Sequence, residues 1–414
     1  MVIFSGQIKN AVSLVFGTGL AQLLPLLFSP ILTRIYMPDE FGMLTFFVSL
    51  SSLLAIISSG QYEIAILKPK RLIDSFNLLV FASIFSLIFS VLLYLILAFL
   101  HNFNFLVLDQ QINHSLLMLI PVGLFQVFQF QSLIYWLTKR NKFKQLSLIK
   151  VLQSVFIVFF SLLFSFIFNS KGLIFAFIGG YFICNCFIYY TIFRLRSQFS
   201  FNKYARNILR EYSQYPKYVM SSSAINTAAS QAPVYFISKF YNPTLLGFFS
   251  FANRILVAPI GIISVSIGQV YFKEIANKVN YDRKNLYPYF LKVLGLLVTI
   301  SIVIFIPFIL FGDVLFELIF GKNWISAGQY SQVISFSLLI KFVVSPLSIT
   351  LIALSKVKLL SIWQIGYFIS TVLVLYSARN LSIDSFIWHY VINDLILYTI
   401  YFLLIFYSIF NFKE

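Results

Sequence analysis

The chain has 414 residues, 60% of them hydrophobic and only 10% charged, against the roughly 25% charged residues usual in soluble domains. A soluble domain with so few polar groups could not cover its exterior, and a chain this hydrophobic does not stay disordered. The net charge of +17 reads here as basic loops on one membrane face, not as a nucleic-acid surface, so no nucleic-acid partner is expected. What remains is an all-α polytopic membrane protein.

A span needs about 20 mostly apolar residues. Twelve segments qualify: 12–31, 41–60, 76–100, 115–137, 146–168, 172–193, 218–240, 245–270, 289–311, 331–354, 359–378 and 386–407. The first follows Lys9, is too long for the apolar core of a cleavable leader, and lacks a small-residue cleavage pattern; it is expected to be an uncleaved signal anchor. Orientation follows from lysine and arginine. With the N-terminus inside, the outer side holds only Arg34, Lys171, Lys239, Lys322 and Arg379, two cations (Arg254 and Lys341) fall deep within spans, and the other 23 lie in the inner connections or at inner span ends. The bias predicts cytoplasmic N- and C-termini and an even number of spans. The outer loops are short for a folded catalytic domain. Cys184 and Cys186, as Cys-Asn-Cys in an apolar run, read as packing side chains and not as a metal or disulfide site.

The chain repeats itself. Residues 33–46 read TRIYMPDEFGMLTF, and residues 238–251 read SKFYNPTLLGFFSF. Tyr36/Tyr241, Pro38/Pro243, Gly42/Gly247 and Phe46/Phe251 are identical, and Arg34 pairs with Lys239. The offset is almost half the chain. A generic Pro-Gly turn between apolar helices is the plainer account. A duplicated six-helix unit is the better one, and six being even, both copies keep one orientation. The expected architecture is therefore twelve transmembrane helices in two six-helix bundles around a central cavity. The N-terminal bundle would span 1–193, a cytoplasmic linker 194–216, and the C-terminal bundle 217–414. Pro25, Pro30 and Pro233 would bend the first helix of each half.

Charges inside the bilayer cost about 2.5–3.5 kcal/mol each on insertion scales, so each calls for a reason. Lys341 lies near the centre of the tenth span and Arg254 a third of the way into the eighth. Each faces a cavity or serves as structural partner to a carboxylate or helix end. Arg34 and Lys239 sit at helix ends, where snorkelling is cheap, but their pairing in the repeat makes them candidates too. Arg34, Lys239, Arg254 and Lys341 form the candidate binding set. Cations outnumber anions in it, so the ligand should be anionic, and a phosphate suits Arg and Lys. Glu63, just past the second span, and Asp394, two turns into the twelfth, either couple transport to protons or neutralise a cation. The polar run Ser221, Ser222, Ser223, Asn226, Thr227, Ser230 and Gln231 packs helices closely or lines a wet cavity. There is no Walker-type phosphate loop, and His101, His114 and His389 form no metal or acid–base motif. No catalytic residue, metal or cofactor is expected.

Several stretches resemble Wzx-type polysaccharide flippases. They are Ala21–Pro25, Pro30–Tyr36 with Pro38–Gly42, Tyr62–Leu67, Tyr135–Leu137 with Lys142–Lys144, Tyr215–Tyr218, Asn226–Pro233, Asn253–Leu256, Ile267–Tyr271, Phe320–Trp324 and Ser345–Leu347. Their order is more specific than any one of them. The chain is thus similar to polysaccharide biosynthesis proteins of the multidrug/oligosaccharidyl-lipid/polysaccharide (MOP) exporter superfamily. The resemblance implies alternating access and translocation of undecaprenyl-pyrophosphate-linked repeat units across the bacterial inner membrane, for O-antigen, capsule or exopolysaccharide. Arg34, Arg254 and Lys341 would meet the pyrophosphate. Membrane lipid, a polysaccharide polymerase and a chain-length regulator are the partners it implies. A cation-coupled multidrug exporter of the same fold is the rival reading, and a membrane polysaccharide polymerase a more distant one.

Overall fold

The computed structural model describes residues 17–102, 114–168, 171–195 and 203–411. Lys9 and the beginning of the first predicted span lie outside them. The described residues are helical almost throughout, as they must be where lipid offers the backbone no hydrogen-bond partner. Ten helices are long and apolar enough to cross a membrane, so this is a multi-pass membrane protein. They are α1 (Gly17–Ile35), α2 (Pro38–Ser58), α4 (Leu72–Asn102), α5 (Ile120–Lys139), α6 (Phe143–Phe164), α7 (Gly172–Leu195), α11 (Leu286–Phe320), α12 with the short α13 (Ile325–Leu347, Ile349–Ala353), α14 (Val357–Ser377) and α15 (Ile383–Phe410). The short α3 (Tyr62–Ala65) and α8 (Lys203–Glu211) lie between these, and α9 (Met220–Phe240) and α10 (Pro243–Tyr281) follow. The segments predicted as the seventh and eighth spans are α9 and α10. Both are helical, but they fall outside the set of ten, α9 because its Ser, Asn, Thr and Gln residues lower its hydropathy.

Two compact units divide the chain. The first comprises residues 1–36 and 43–231, and the second residues 37–42 and 232–414. The boundary falls within α9, past the 194–216 segment predicted as the linker. In the first unit the core gathers Phe47, Phe76, Phe128, Trp136, Phe177 and Ile188 around α2, α4, α5 and α7. Polar side chains run through this unit as well. The Ser58 and Ser86 hydroxyls meet at 3.0 Å, and Asn185 donates to the Gln126 side chain at 2.6 Å. In the second unit Trp324 is fully buried among Phe41, Phe251 and Phe248.

The repeated turn explains why residues 37–42 join the second unit. A Cβ on Gly42 would run into the Pro243 carbonyl, and a Cβ on Gly247 into the Pro38 carbonyl. The contact is reciprocal, glycine of one copy on the proline of the other, as between surfaces related by a two-fold axis. Only residues without a side chain let the two helix starts approach this closely. The paired tyrosines also do one job. Tyr36 donates to the Ser161 carbonyl near the end of α6, at 2.6 Å. Tyr241 donates to the Leu381 carbonyl just past α14, at 2.9 Å. Each ties the helix before the turn to the far end of its unit's fifth predicted span.

A second correspondence escapes the sequence comparison. The helix ending before α6 closes with Asn141 at φ 55°, and the Lys142 amide reaches back to the Leu137 carbonyl at 2.9 Å. The helix ending before α14 closes with Ser355 at φ 59°, and the Lys356 amide reaches back to the Leu351 carbonyl at 2.7 Å. Both are left-handed helix stops with the same six-to-one bond. Only Lys142–Lys144 and Lys356–Lys358 mark them in sequence.

Candidate functional site

Lys341 belongs to α12, whose Ser331, Ser335, Leu338 and Phe342 are buried. The Lys341 ammonium is therefore carried into the interior of the second unit, where it forms an ion pair with Asp394 of α15. The sequence treated these two as separate candidates; packing of α12 on α15 joins them. The partners are unequally placed. The Lys341 side chain keeps 15% of its surface accessible, whereas Asp394 keeps none. The carboxylate lies behind and the cation in front.

Tyrosines complete the site. Lys341 Nζ donates to the Tyr390 hydroxyl at 3.2 Å. It also lies 5.2 Å from the Tyr390 ring centre and 5.4 Å from that of Tyr398, within the range of cation–π attraction. The Tyr367 hydroxyl, from α14, donates to Asp394 Oδ1 at 2.9 Å. Both carboxylate oxygens are thus satisfied, as a buried charge requires. Next to Asp394, Asn393 accepts from Ser370 at 2.6 Å and donates to Thr371 at 3.3 Å, pinning α15 to α14. Sequence reasoning missed the tyrosines. The signal was present: Tyr390, Asp394 and Tyr398 recur every fourth residue, one face of a helix.

Among the described residues, the other candidate cations make no hydrogen bond or ion pair with Lys341 or Asp394. Arg254, on α10, is exposed and has no ion pair or side-chain hydrogen bond among the described residues. Arg34 and Lys239 are exposed at helix ends, and Lys239 lies 5.5 Å from the Phe240 ring centre. Among the polar residues of α9, Ser222, Asn226 and Ser230 are exposed and share one face by their four-residue spacing. Lys150, counted among the loop cations, sits two turns into α6 and donates to the Thr18 hydroxyl at 3.2 Å.

Glu63 occupies a different setting in the first unit. It sits on α3, in the connection between α2 and α4, and is 0% exposed. Gly60 and Gln61 both take positive φ, 62° and 60°, folding the chain back sharply enough to bury the carboxyl. Ser59 donates to Oε2 at 2.5 Å and the Gln61 side chain to Oε1 at 3.2 Å. Among the described residues no cation pairs with it. Burial pushes its pKa up from the usual 4.5 to about 7, against the opposing pull of the Ser59 hydrogen bond.

The chain belongs to a family described as polysaccharide biosynthesis proteins, matched over residues 31–329. The teichuronic acid biosynthesis protein TuaB of Bacillus subtilis (strain 168) is 21% identical over 189 residues, 45% of this chain and 39% of that one. The chain thus spans about two fifths of that relative's length. Solved structures share the fold nearly end to end. The lipid II flippase MurJ in an inward closed conformation has a TM-score of 0.71 at 14% identity, over 98% of this chain and 90% of that one. An inward-facing multidrug resistance MATE transporter of the MOP superfamily gives 0.68 at 16%, over 97% and 95%. A MOP superfamily transporter from Pyrococcus furiosus gives 0.59 at 15%, over 98% and 96%. The family is thus that of polysaccharide biosynthesis proteins, and the fold is the one these solved transporters share.

Proposed function

We propose that the protein moves undecaprenyl-pyrophosphate-linked oligosaccharide repeat units across the bacterial inner membrane by alternating access, with both termini cytoplasmic. The family description and the flippase fold support this reading. The observation that carries it is the partly accessible side chain of Lys341, within a helix of the second unit, its ammonium framed by the rings of Tyr390 and Tyr398. A pyrophosphate approaching from the open side meets the cation first and the carboxylate not at all. Arg254, exposed and unpaired among the described residues, is the second anion contact, and Arg34 and Lys239 are further cations for the headgroup's path. Differential affinity of the two access states for the headgroup then drives the exchange between them. Asp394 and Glu63 are the groups through which protons would couple. The sugar pathway, whether O-antigen, capsule or exopolysaccharide, and contacts with a polymerase and chain-length regulator belong to the same proposal.

A cation exporter of the same fold would need membrane carboxylates free to bind its ligand. Asp394 is already neutralised by Lys341, which argues against that rival. The test is complementation of a strain lacking the gene. Arg254→Ala and Lys341→Ala should each reduce surface polysaccharide at least tenfold while the amount of membrane protein holds. Normal polysaccharide in both variants refutes the assignment, and efflux of cationic dyes from vesicles holding the purified protein would favour the exporter.

A further inference from the structure

The second unit contains an apolar cleft of about 480 Å³ between α10 and the α12–α13 break. Ser264, Gly268 and Phe272 form one wall, and Pro346, Ile349 and Ile352 the other. The break is built into the sequence. Pro346 lies inside the last turn of α12, where it removes a backbone donor and crowds the preceding turn. The helix stops at Leu347, resumes as the five-residue α13, and ends at the left-handed Ser355. Gly268 supplies the floor opposite this break; a Cβ there would come within 3.2 Å of Ile349 Cδ1.

Nothing in the lining is charged. The rim residues Phe272 and Ile352 are exposed, so the cleft opens onto the apolar exterior of the helices. The Ser264 hydroxyl lies behind the apolar surface, buried without a hydrogen-bond partner. The volume is roughly three times the ~150 Å³ cavity that holds one benzene, enough for three or four five-carbon isoprene units.

The position of the cleft decides between hydrocarbon chains. Ser345, also in its lining, lies four residues from Lys341, one helical turn or about 6 Å along α12. An amphiphile whose chain fills the cleft therefore has its head near the depth of Lys341, far from where phospholipid headgroups reside.

We infer that this cleft binds the isoprenoid chain of a polyprenyl phosphate carrier while its phosphate engages Lys341. The inference rests on the proposed function and adds to it a subsite for the tail. Head and tail are held by one helix, α12, on either side of a single turn. The cleft then selects carriers by chain chemistry, and Lys341 by charge.

The test uses the full chain in nanodiscs of phosphatidylethanolamine and phosphatidylglycerol. Photoactivatable 55-carbon polyprenyl monophosphate is compared with photoactivatable phosphatidylethanolamine, and labelled peptides are mapped by mass spectrometry. The polyprenyl probe should label residues 264–272 and 345–352, and a tenfold excess of unlabelled polyprenyl phosphate should cut that labelling at least fivefold. The same excess of phosphatidylethanolamine should not. Gly268→Leu fills the cleft and should reduce labelling at least fivefold, with Ile352→Trp as a second, rim-placed blocker should the first fail to fold. Labelling spread over the helix exteriors, or equal competition by the phospholipid, overturns the inference. Calorimetric binding of inorganic pyrophosphate, lost in Lys341→Ala, reports on the headgroup site separately. Binding there without specific cleft labelling removes the tail subsite alone, and normal polysaccharide in both Lys341→Ala and Arg254→Ala removes the flippase reading alone.

Discussion

Two buried carboxyl groups, one in each unit, solve the same problem by different means. Asp394 and Glu63 are both 0% exposed. Asp394 pairs with Lys341 and accepts from Tyr367. Glu63 has hydroxyl and amide donors but, among the described residues, no cation. Burial therefore drives Glu63 toward its neutral form, at a pKa of about 7, while Asp394 is held in an ion pair. The contrast separates two kinds of polar group in a membrane protein. One holds a cation in place for an anionic ligand to reach; the other is poised to gain or lose a proton near neutral pH. Glu63 also has a neighbour that suits a moving part. Gly60, three residues earlier, packs against Pro216 in the π-helical turn Tyr215–Val219 that opens α9, and such turns recur at functional sites.

The sharpest way to break this contrast is to remove one partner of the pair. Lys341→Met leaves the fully buried Asp394 uncompensated and should cost about 3–5 kcal/mol. Adding Asp394→Asn should recover most of that stability in thermal melts, yet the double variant should still fail to support surface polysaccharide. If the double variant is as unstable as the single, the charges are not what holds these helices together. Restored polysaccharide would place the function elsewhere.

The next effect belongs to Glu63 and has the opposite sign. Its pKa is raised on folding, so the folded protein holds the proton more tightly than the unfolded chain does. That contribution is fully present below pH 4.5, is lost as pH rises through 7, and is absent above it. Glu63→Gln should therefore raise stability by about 3 kcal/mol at pH 8 and by little at pH 4.5. Parallel pH profiles for variant and parent would mean that folding leaves the Glu63 pKa unchanged, and the contrast with Asp394 would disappear.

The smallest effect tests the second donor to Asp394. Tyr367→Phe deletes one hydrogen bond to a charged group and should cost about 1.5–3 kcal/mol. The loss should shrink in an Asp394→Asn background, because the bond is then no longer charge-assisted. Equal losses in both backgrounds would mean that the Tyr367 hydroxyl contributes through packing alone.

Much of the helical framework could be read directly. Long apolar segments separated by basic connections are the direct record of a bilayer's thickness and charge preference. The Pro-Gly turn repeated at 33–46 and 238–251 was also legible, because its tyrosine, proline and glycine each meet a strict backbone or packing demand. The matching left-handed stops at Asn141 and Ser355 were not, since any residue able to take positive φ serves there and the two sequences had no reason to stay alike. Of the candidate residues, each charge was found singly, because a charge in an apolar run stands out. Their relations were not found. Tyr390, Asp394 and Tyr398 share a face by spacing, but aromatic residues abound in this chain, 19% of the whole, and the pattern does not stand out against that background.

Sequence alone determined the solvent this protein lives in, where most of its helices run, and which charges interrupt its apolar segments. These follow from local properties, the transfer free energy and length of each segment. Only the tertiary structure decided which charge is committed and which is free. Lys341 and Asp394 are 53 residues apart, and nothing in either neighbourhood specifies the other. Their pairing exists because α12 packs on α15, and the energy of a buried charge depends on the partner that packing places within reach.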